Sequence, residues 1–442
     1  MIKKLSLALI IAIIFTAIPV FSVDVNAVTE ETITAPSAVL METSSGKILF
    51  EKNPHEQRPC ASITKVMTML LVCEAIDNGK LSLDDTITAS AHAASMGGSD
   101  IWLEEGETMS ADDMIKATVV ASANDAAVAL AEHLCGSEEV FVEKMNEKAS
   151  QLGMKDTVFK NCNGLDEDGH ITSAYDVAVM SRELMKHEMI FDYTSIWLDN
   201  LRDGKTLIVN TNKLLKTYNG ITGLKTGTTN DAGCCMSASA KRGDMSLVAV
   251  VLGCNSGKER FSDAAALLDY GFANFSVTQL KAPEDLPKTI KVENGMQGNI
   301  GIGCDVNASI VLDKNSSSKI VSKIDLPESI EAPVVSGQKL GTVTYSLDGN
   351  AVKSFEITAL QDTEKISFAS VFSVLFLYKI YKMTLQKVEN YSIIRQQRYL
   401  FRILCCFYHR FYGILRSIIP KGNFGGINNG YKTYRQIFKR FR

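Results

Sequence analysis

The sequence lacks the cysteine and histidine patterns that build metal sites. Ten cysteines are present, yet none forms a CxxC pair and none clusters with histidine at metal-ligand spacing. Two cysteine pairs are adjacent in the chain, at 234–235 and 405–406, and the rest stand singly among apolar residues. Buried thiols account for Cys73, Cys135 and Cys254. We therefore expect no metal, no cofactor and no disulfide framework.

The chain also lacks an even distribution of charge. Its net charge is −4, but residues 361–442 contain fifteen Lys or Arg against three Asp or Glu. The first 360 residues are therefore acidic and the tail is strongly basic. The mixed apolar and charged content is that of a globular chain, and 442 residues allow two or three domains.

The N-terminus is typical of an export signal. Two lysines precede an almost wholly apolar stretch from Leu5 to Phe21, and the small residues Val25 and Ala27 are placed for cleavage. We expect residues 1–27 to be removed and the mature chain to act outside the cytoplasm. A retained membrane helix is the alternative, but the apolar stretch is slightly short for spanning a bilayer.

Hydrophobic periodicity predicts two domains after this signal. The predicted elements are a hairpin at 36–54, helices at 62–78, 114–134 and 174–185, a buried strand at 246–252 and a helix at 264–272. This order indicates an α/β domain over 28–280 with an inserted helical subdomain. Short alternating runs between 281 and 360, such as Ser309–Leu312, predict a small all-β domain.

Three short motifs carry the chemistry. In Ser62-Ile63-Thr64-Lys65, placed at a helix start, the i, i+3 spacing brings the lysine amine to the serine hydroxyl. Serine is a poor nucleophile without an adjacent base, and lysine acts as one only if burial or nearby cations lower its pKa. Alone, the motif is weak evidence, because a solvated lysine beside a helix cap is more common.

The second and third motifs are Ser122-Ala123-Asn124 and Lys225-Thr226-Gly227. Small polar residues such as those of the second motif commonly cap helices. Lys225 and Thr226, on a predicted strand, are suited to binding a carboxylate, and Gly227 lets backbone approach backbone. An ordinary edge strand is the alternative for this segment. The joint occurrence of all three motifs, in this order, favours a serine acyl-transferase site that uses lysine as base.

These motifs resemble those of the D-alanyl-D-alanine carboxypeptidases, the low-molecular-mass penicillin-binding proteins. The resemblance covers about residues 34–360 and includes the runs 58–68, 163–172 and 221–229. It implies a penicillin-recognising domain of the α/β (α+β) class, with an antiparallel sheet, flanking helices and an inserted helical subdomain, followed by a small all-β domain.

The resemblance also implies roles for individual residues. Ser62 would attack the carbonyl between the two terminal D-alanines of a peptidoglycan stem peptide, with Lys65 as base. Ser122 would pass the proton to the leaving D-alanine, and Asn124 would hold Lys65 and the substrate amide. The remaining implied contacts are an oxyanion hole from the N–H groups of Ser62 and Thr228, and a carboxylate site of Lys225, Thr226, Gly227 and Arg260. β-Lactams would acylate Ser62 and leave slowly.

Two nearby residues are interpreted as structural. Cys60 has no lysine or histidine partner at useful spacing, and His170 lies in a loop-like Asp-Gly-His context. Three alternative functions remain. A class A β-lactamase would add a glutamate to activate the deacylating water, but the glutamates between the second and third motifs, such as Glu167 and Glu183, lack the expected setting. The others are an endopeptidase cutting cross-bridges and a non-catalytic cell-wall binding protein.

The segment after the β domain departs from this pattern. Residues 361–387 contain an apolar stretch followed by lysines, and the resemblance implies that this segment is the family's amphipathic anchor helix on the outer face of the cytoplasmic membrane. The stretch is apolar nearly all round, so a buried or inserted segment is the alternative. Residues 388–442 form a basic aromatic tail that resembles nothing familiar, and nucleic-acid binding is not expected of an exported protein.

Overall fold

The computed structural model describes residues 28–314 and 319–389. Spatial clustering divides the chain into two units. The first extends to Thr278 and includes a segment beginning at Ser309, and the second begins at Gln279. The predicted signal at 1–27 and the tail beyond Glu389 lie outside the described residues.

Short strands and helices alternate along most of the described chain. In chain order the strands are β1 (Ser37–Glu42), β2 (Ile48–Lys52), β3 (Thr86–Thr88), β4 (Thr108–Ser110), β5 (Leu198–Leu201), β6 (Thr206–Val209), β7 (Ile221–Thr229), β8 (Gly233–Arg242), β9 (Met245–Cys254), β10 (Phe275–Gln279), β11 (Thr289–Glu293), β12 (Asn299–Cys304), β13 (Ser309–Asp313), β14 (Ile320–Asp325), β15 (Ser329–Glu331), β16 (Lys339–Leu347) and β17 (Asn350–Ala359). The α-helices are α1 (Lys65–Asp77), α2 (Ala91–Ala94), α3 (Ala111–Lys116), α4 (Asn124–Cys135), α5 (Glu138–Gln151), α6 (Ala174–Leu184), α7 (Ile190–Thr194), α8 (Leu214–Thr217), α9 (Gly257–Asn274) and α10 (Phe368–Glu389).

A five-stranded antiparallel sheet, in the order β2-β1-β9-β8-β7, forms the centre of the first unit. Side chains alternate along β9: Leu247, Ala249 and Val251 share a core with α9, whereas Val248 and Val250 face the core that contains α1 and α6. Because helices cover both faces, the strand is apolar without alternation in sequence. This architecture confirms the predicted fold class and places the third motif on the edge strand β7.

The helix predicted over 114–134 is wrong as a single element. The chain forms α3, then a π-helical turn at Ala117–Ala121, and breaks at Ser122 before α4 begins. Apolar residues continue through the break because both halves bury the same face in one core. Periodicity alone therefore carries no sign of the interruption.

A six-stranded sheet, in the order β14-β16-β17-β12-β11-β15, forms the second unit and confirms the predicted all-β segment. One strand of that segment differs from the prediction, because β13 pairs with β10 and not with this sheet. After the sheet comes α10, whose stacked Phe368, Phe372 and Phe376 are all exposed. Among the helices described, none combines the length and hydropathy required to cross a bilayer.

Candidate active site

Ser62 lies in a 3₁₀ turn, Ala61–Thr64, directly before α1. Ala61 has a φ of 50°, in the left-handed region that non-glycine residues enter only at an energetic cost. Ser62 is partly exposed, whereas the other three residues of the turn are buried. The regular helix therefore begins at Lys65, three residues later than predicted, and the strained turn presents the serine to solvent.

The amine of Lys65 is fully buried and has three hydrogen-bond acceptors. It donates to Ser62 Oγ at 3.1 Å, to Asn124 Oδ1 at 2.5 Å and to the carbonyl oxygen of Asn163 at 2.7 Å. An ammonium group has three protons, so these acceptors satisfy it completely. The contact expected from the i, i+3 spacing is present, and the two other acceptors hold the amine against the serine.

Burial lowers the pKa of Lys65 from 10.5 to about 7, because the charged form loses its hydration. The nearby groups Cys162, Asp100 and Asp125 act in the opposite direction and raise the pKa by smaller amounts. At neutral pH a large share of Lys65 is therefore the free amine. That form can accept a proton from Ser62, which is the property a general base needs.

The pH dependence of acylation follows from this pKa. We expect the second-order rate constant for acylation by a soluble penicillin to rise with pH through a single limb near pH 7 and then to level off, because only the neutral amine of Lys65 accepts a proton. Stopped-flow measurements between pH 5 and 9 check this. A rate independent of pH across that range contradicts the assignment of Lys65 as base.

The second motif forms the break between α3 and α4. Ser122 has a φ of 62° and is nearly buried, and Asn124 is the first residue of α4. Besides binding Lys65, Asn124 donates through Nδ2 to the carbonyl of Gly97 and through its backbone N–H to the carbonyl of Ser99, both at 2.7 Å. The Ser122 hydroxyl makes no hydrogen bond to Ser62 or Lys65 among the residues described. The relay role expected of Ser122 therefore stays a prediction.

The loop at 161–165 completes the site and was missed as a functional element. It supplies the Asn163 carbonyl to Lys65, and Asn161 holds the loop by accepting from the N–H of Gly164 at 2.7 Å. A Cβ at Gly164 would lie 2.0 Å from the Ala61 carbonyl oxygen, so only glycine allows this approach. The Asn-Gly pair was noted in the sequence, but a backbone acceptor has no residue signature.

The third motif lies on β7 directly against the nucleophile. A Cβ at Gly227 would be 2.9 Å from the Ser62 nitrogen and 2.8 Å from the Cys60 carbonyl oxygen, so the glycine lets the strand reach the turn. Burial, together with the charges of Lys65 and Arg260, holds the pKa of Lys225 well below its usual range. Both charged neighbours that lower the pKa of Lys225 are basic residues.

Arg260, on α9, meets the end of the same strand. Its Nη1 donates to the Gly227 carbonyl at 2.9 Å and to Thr228 Oγ1 at 2.8 Å, while its buried Nε has no partner within the described part of the chain. Desolvation lowers the pKa of Arg260. Thr226 donates from its hydroxyl to Thr211 Oγ1 at 2.6 Å. A region that holds a lysine, an arginine and an unpartnered guanidinium N–H is chemically suited to a carboxylate.

The two residues interpreted as structural are buried behind Ser62. His170 accepts at Nδ1 from the backbone N–H of Lys160 (3.1 Å), so its Nε2–H donates to Thr64 Oγ1 at 2.7 Å. Burial lowers the pKa of His170 to about 4, which keeps the ring neutral. Burial also raises the pKa of Cys60 to about 11, so its thiol is a poor nucleophile.

Nine residues were predicted for the site. Of these, Ser62, Lys65 and Asn124 are joined by hydrogen bonds, and Gly227 packs on Ser62. The residues predicted to bind a carboxylate lie on or beside β7. The fold and this constellation define a serine-type hydrolase of the penicillin-recognising class. Comparison with known proteins agrees. Residues 24–256 match the D-alanyl-D-alanine carboxypeptidase family, and residues 275–365 match the C-terminal domain of penicillin-binding protein 5.

Individual relatives extend this likeness over most of the chain. The D-alanyl-D-alanine carboxypeptidase DacF of Bacillus subtilis is 44% identical over 338 residues, covering 76% of this chain and 87% of that protein. DacC of Escherichia coli is 33% identical, covering 77% and 88%. The crystal structure of penicillin-binding protein 5 from Haemophilus influenzae has a TM-score of 0.67 at 32% identity and covers 76% of this chain and all of that one. The chain belongs to the D-alanyl-D-alanine carboxypeptidase family.

Proposed function

We propose that this chain is a serine-type D-alanyl-D-alanine carboxypeptidase that removes the terminal D-alanine from peptidoglycan stem peptides. The observation that carries the proposal is the buried amine of Lys65, which donates to Ser62 Oγ and to Asn124 Oδ1 and has a pKa near neutrality. The family supports the substrate class, because its members are D-alanyl-D-alanine carboxypeptidases.

In the proposed mechanism, Ser62 attacks the carbonyl of the penultimate D-alanine while Lys65 takes the hydroxyl proton. The N–H groups of Ser62 and Thr228 stabilise the oxyanion. The proton then passes through Ser122 to the departing D-alanine nitrogen, and Asn124 orients both Lys65 and the substrate amide. Water hydrolyses the acyl-enzyme and returns a proton to Ser62 Oγ. The same serine is acylated by β-lactams, and a related structure from Listeria monocytogenes is described as ampicillin-bound.

The terminal carboxylate of the substrate is assigned to the cationic end of β7. The charge of Arg260 lowers the pKa of Lys225, and an anionic ligand between them offsets that repulsion. The hydroxyls of Thr226 and Thr228 lie beside these groups, and each would have to turn from its present acceptor, Thr211 Oγ1 or the Gly227 carbonyl, to donate to the carboxylate. This assignment gives the buried Lys225 and the partly buried Arg260 a role beside the nucleophile.

Lys225→Ala is expected to lower kcat/KM for a peptide ending in D-Ala-D-Ala by about 10- to 100-fold, because a charge-assisted contact with the carboxylate is lost. The same peptide with a C-terminal amide is expected to lose much less. Lys241→Ala, an exposed lysine on β8, is the matched control. Equal losses for the carboxylate and amide substrates contradict the assignment.

The experiment that tests the function combines two measurements on the purified protein. D-alanine release from a pentapeptide establishes the carboxypeptidase, and a fluorescent penicillin adduct is located by peptide mass and followed as it decays. Slow loss of label together with D-alanine release supports the proposal. Rapid turnover of penicillin without D-alanine release favours the β-lactamase alternative, and absence of an adduct favours a non-catalytic wall-binding protein. The glutamates relevant to a lactamase have other contacts: Glu183 pairs with Lys186, and Glu167 accepts from Asn161.

The proposed location is the outer face of the cytoplasmic membrane. We assign residues 1–27 to an export signal, 28–280 to the catalytic domain, 281–360 to the β domain and 361–387 to a membrane anchor. Support for the anchor comes from α10, where Phe372, Leu375 and Phe376 are more than half exposed. Sedimentation of the full chain with anionic lipid vesicles tests this assignment. Residues 388–442 receive no function.

A further inference from the structure

Among the described residues of the first unit, Trp102 is the most exposed large apolar side chain, at 79%. Its φ is 56°, a conformation that a bulky residue adopts only when its surroundings impose it. The other tryptophan of the chain, Trp197, is half-buried beneath the ammonium of Lys216. The exposure of Trp102 is thus not a general property of tryptophan in this protein.

The surrounding structure holds Trp102 outward. Its neighbours Ile101 and Leu103 are buried, and the backbone N–H groups of both donate to the carboxylate of the buried Asp125, at 3.1 and 3.0 Å. Arg202 binds the Ile101 carbonyl at 2.9 Å from the other side. With both neighbours fixed inward, the chain directs the indole to solvent. This clamp supplies the stabilisation that offsets the left-handed conformation.

The same loop forms the rim of the active site. The carbonyl groups of Gly97 and Ser99 bind Asn124, and a Cβ at Gly98 would meet the Asn124 amide at 2.9 Å. Three Cα steps separate Ser99 from Trp102, so the tryptophan lies within about 11 Å of the residue that binds Asn124. Asp125, which anchors Trp102, directly follows Asn124.

We propose that Trp102 is a binding subsite for a sugar ring of the glycan strand that carries the stem peptide. The proposal rests on the proposed function and adds a substrate contact to it. Four residues of extended peptide span about 13 Å, which is enough to cover the distance of at most about 11 Å from Ser99 to Trp102. The apolar face of a pyranose can pack on an indole, and Glu104 and Glu105, two and three residues further along the chain, are exposed and can accept hydroxyl hydrogen bonds.

The test compares two substrates that differ only in the sugar: a pentapeptide ending in D-Ala-D-Ala and the same pentapeptide on an N-acetylglucosaminyl-N-acetylmuramyl disaccharide. In the full chain, Trp102→Ala is expected to lower kcat/KM about five- to tenfold for the disaccharide substrate, mainly through KM, and less than twofold for the free pentapeptide. Trp102→Phe is expected to keep most of the activity. Leu207→Ala, which also removes an exposed apolar side chain, serves as the control and should change neither.

Equal losses of kcat/KM for both substrates overturn the proposal, because Trp102 then contacts the peptide or supports the loop. No loss for either substrate also overturns it, because Trp102 then contacts neither. A second measurement is independent of catalysis. The chain has two tryptophans, so the fluorescence difference between the wild type and Trp102→Phe reports on Trp102 alone. Titration with the free disaccharide should change this difference signal, and no change also overturns the subsite. If the wild type releases no D-alanine from either substrate, the proposed function fails, and this titration still decides the subsite.

Discussion

Ser62→Ala is expected to abolish D-alanine release and penicillin acylation together, each by about 10⁴-fold or more. Both reactions require the same oxygen, which is partly exposed and 3.1 Å from the Lys65 amine. Removing that oxygen leaves the proposed oxyanion donors and the proposed carboxylate site unchanged, so non-covalent substrate binding should persist. Intact-protein mass after incubation with penicillin, together with enzymatic assay of free D-alanine, measures both losses.

Cys60→Ser is the matched control for this variant. Cys60 lies two residues before Ser62 and is the other nucleophilic side chain of the segment, but it is fully buried, with its pKa raised to about 11. We expect the Cys60 variant to keep its penicillin adduct on Ser62 and its D-alanine release. An adduct that survives in the Ser62 variant and disappears in the Cys60 variant would assign the chemistry to the thiol and exclude Ser62.

Much of the fold and of the site was predictable because strong local signals coincide with tertiary burial. The β9 run is apolar throughout, and the strand is covered on both faces by helices. Ser62 and Lys65 are three residues apart at a helix start, and this spacing predicted the contact that the two groups make. Gly227 was expected to allow close backbone approach, and the strand does reach the Ser62 nitrogen at that residue.

The features that were not predictable depend on tertiary contacts with no local pattern. The break at Ser122 lies inside a continuous apolar face, and its left-handed φ is compatible with many sequences when the surroundings impose it. The third acceptor of Lys65 is a backbone carbonyl from a segment 98 residues away. Strand β13 lies within the β-rich segment of the sequence yet pairs with β10. Pairing partners of short strands are set by packing, not by alternation.

Lys65→Met is expected to reduce the acylation rate constant for penicillin by about 10²- to 10⁴-fold, because the variant keeps a long side chain but has no group to take the Ser62 proton. Asn124 Oδ1 and the Asn163 carbonyl also lose their donor, so Lys65→Ala should be examined alongside. Lys186→Met, at an exposed lysine paired with Glu183, is the control and should react at the wild-type rate. An unchanged acylation rate in both Lys65 variants excludes lysine as the base.

The stability of Lys65→Met provides an independent check of the same assignment. The folded-state pKa of Lys65 is about 7, below the value near 10.5 expected in the unfolded chain. The unfolded chain therefore binds more protons between these values, and the contribution of Lys65 to the free energy of unfolding rises with pH across that window. Methionine does not titrate, so the free energy of unfolding of the wild type should increase relative to that of the variant from pH 7 to pH 10. Urea unfolding at both pH values measures this shift. A constant difference means that Lys65 keeps an ordinary pKa in the folded protein, and the amine would then be protonated at neutral pH and unable to act as base.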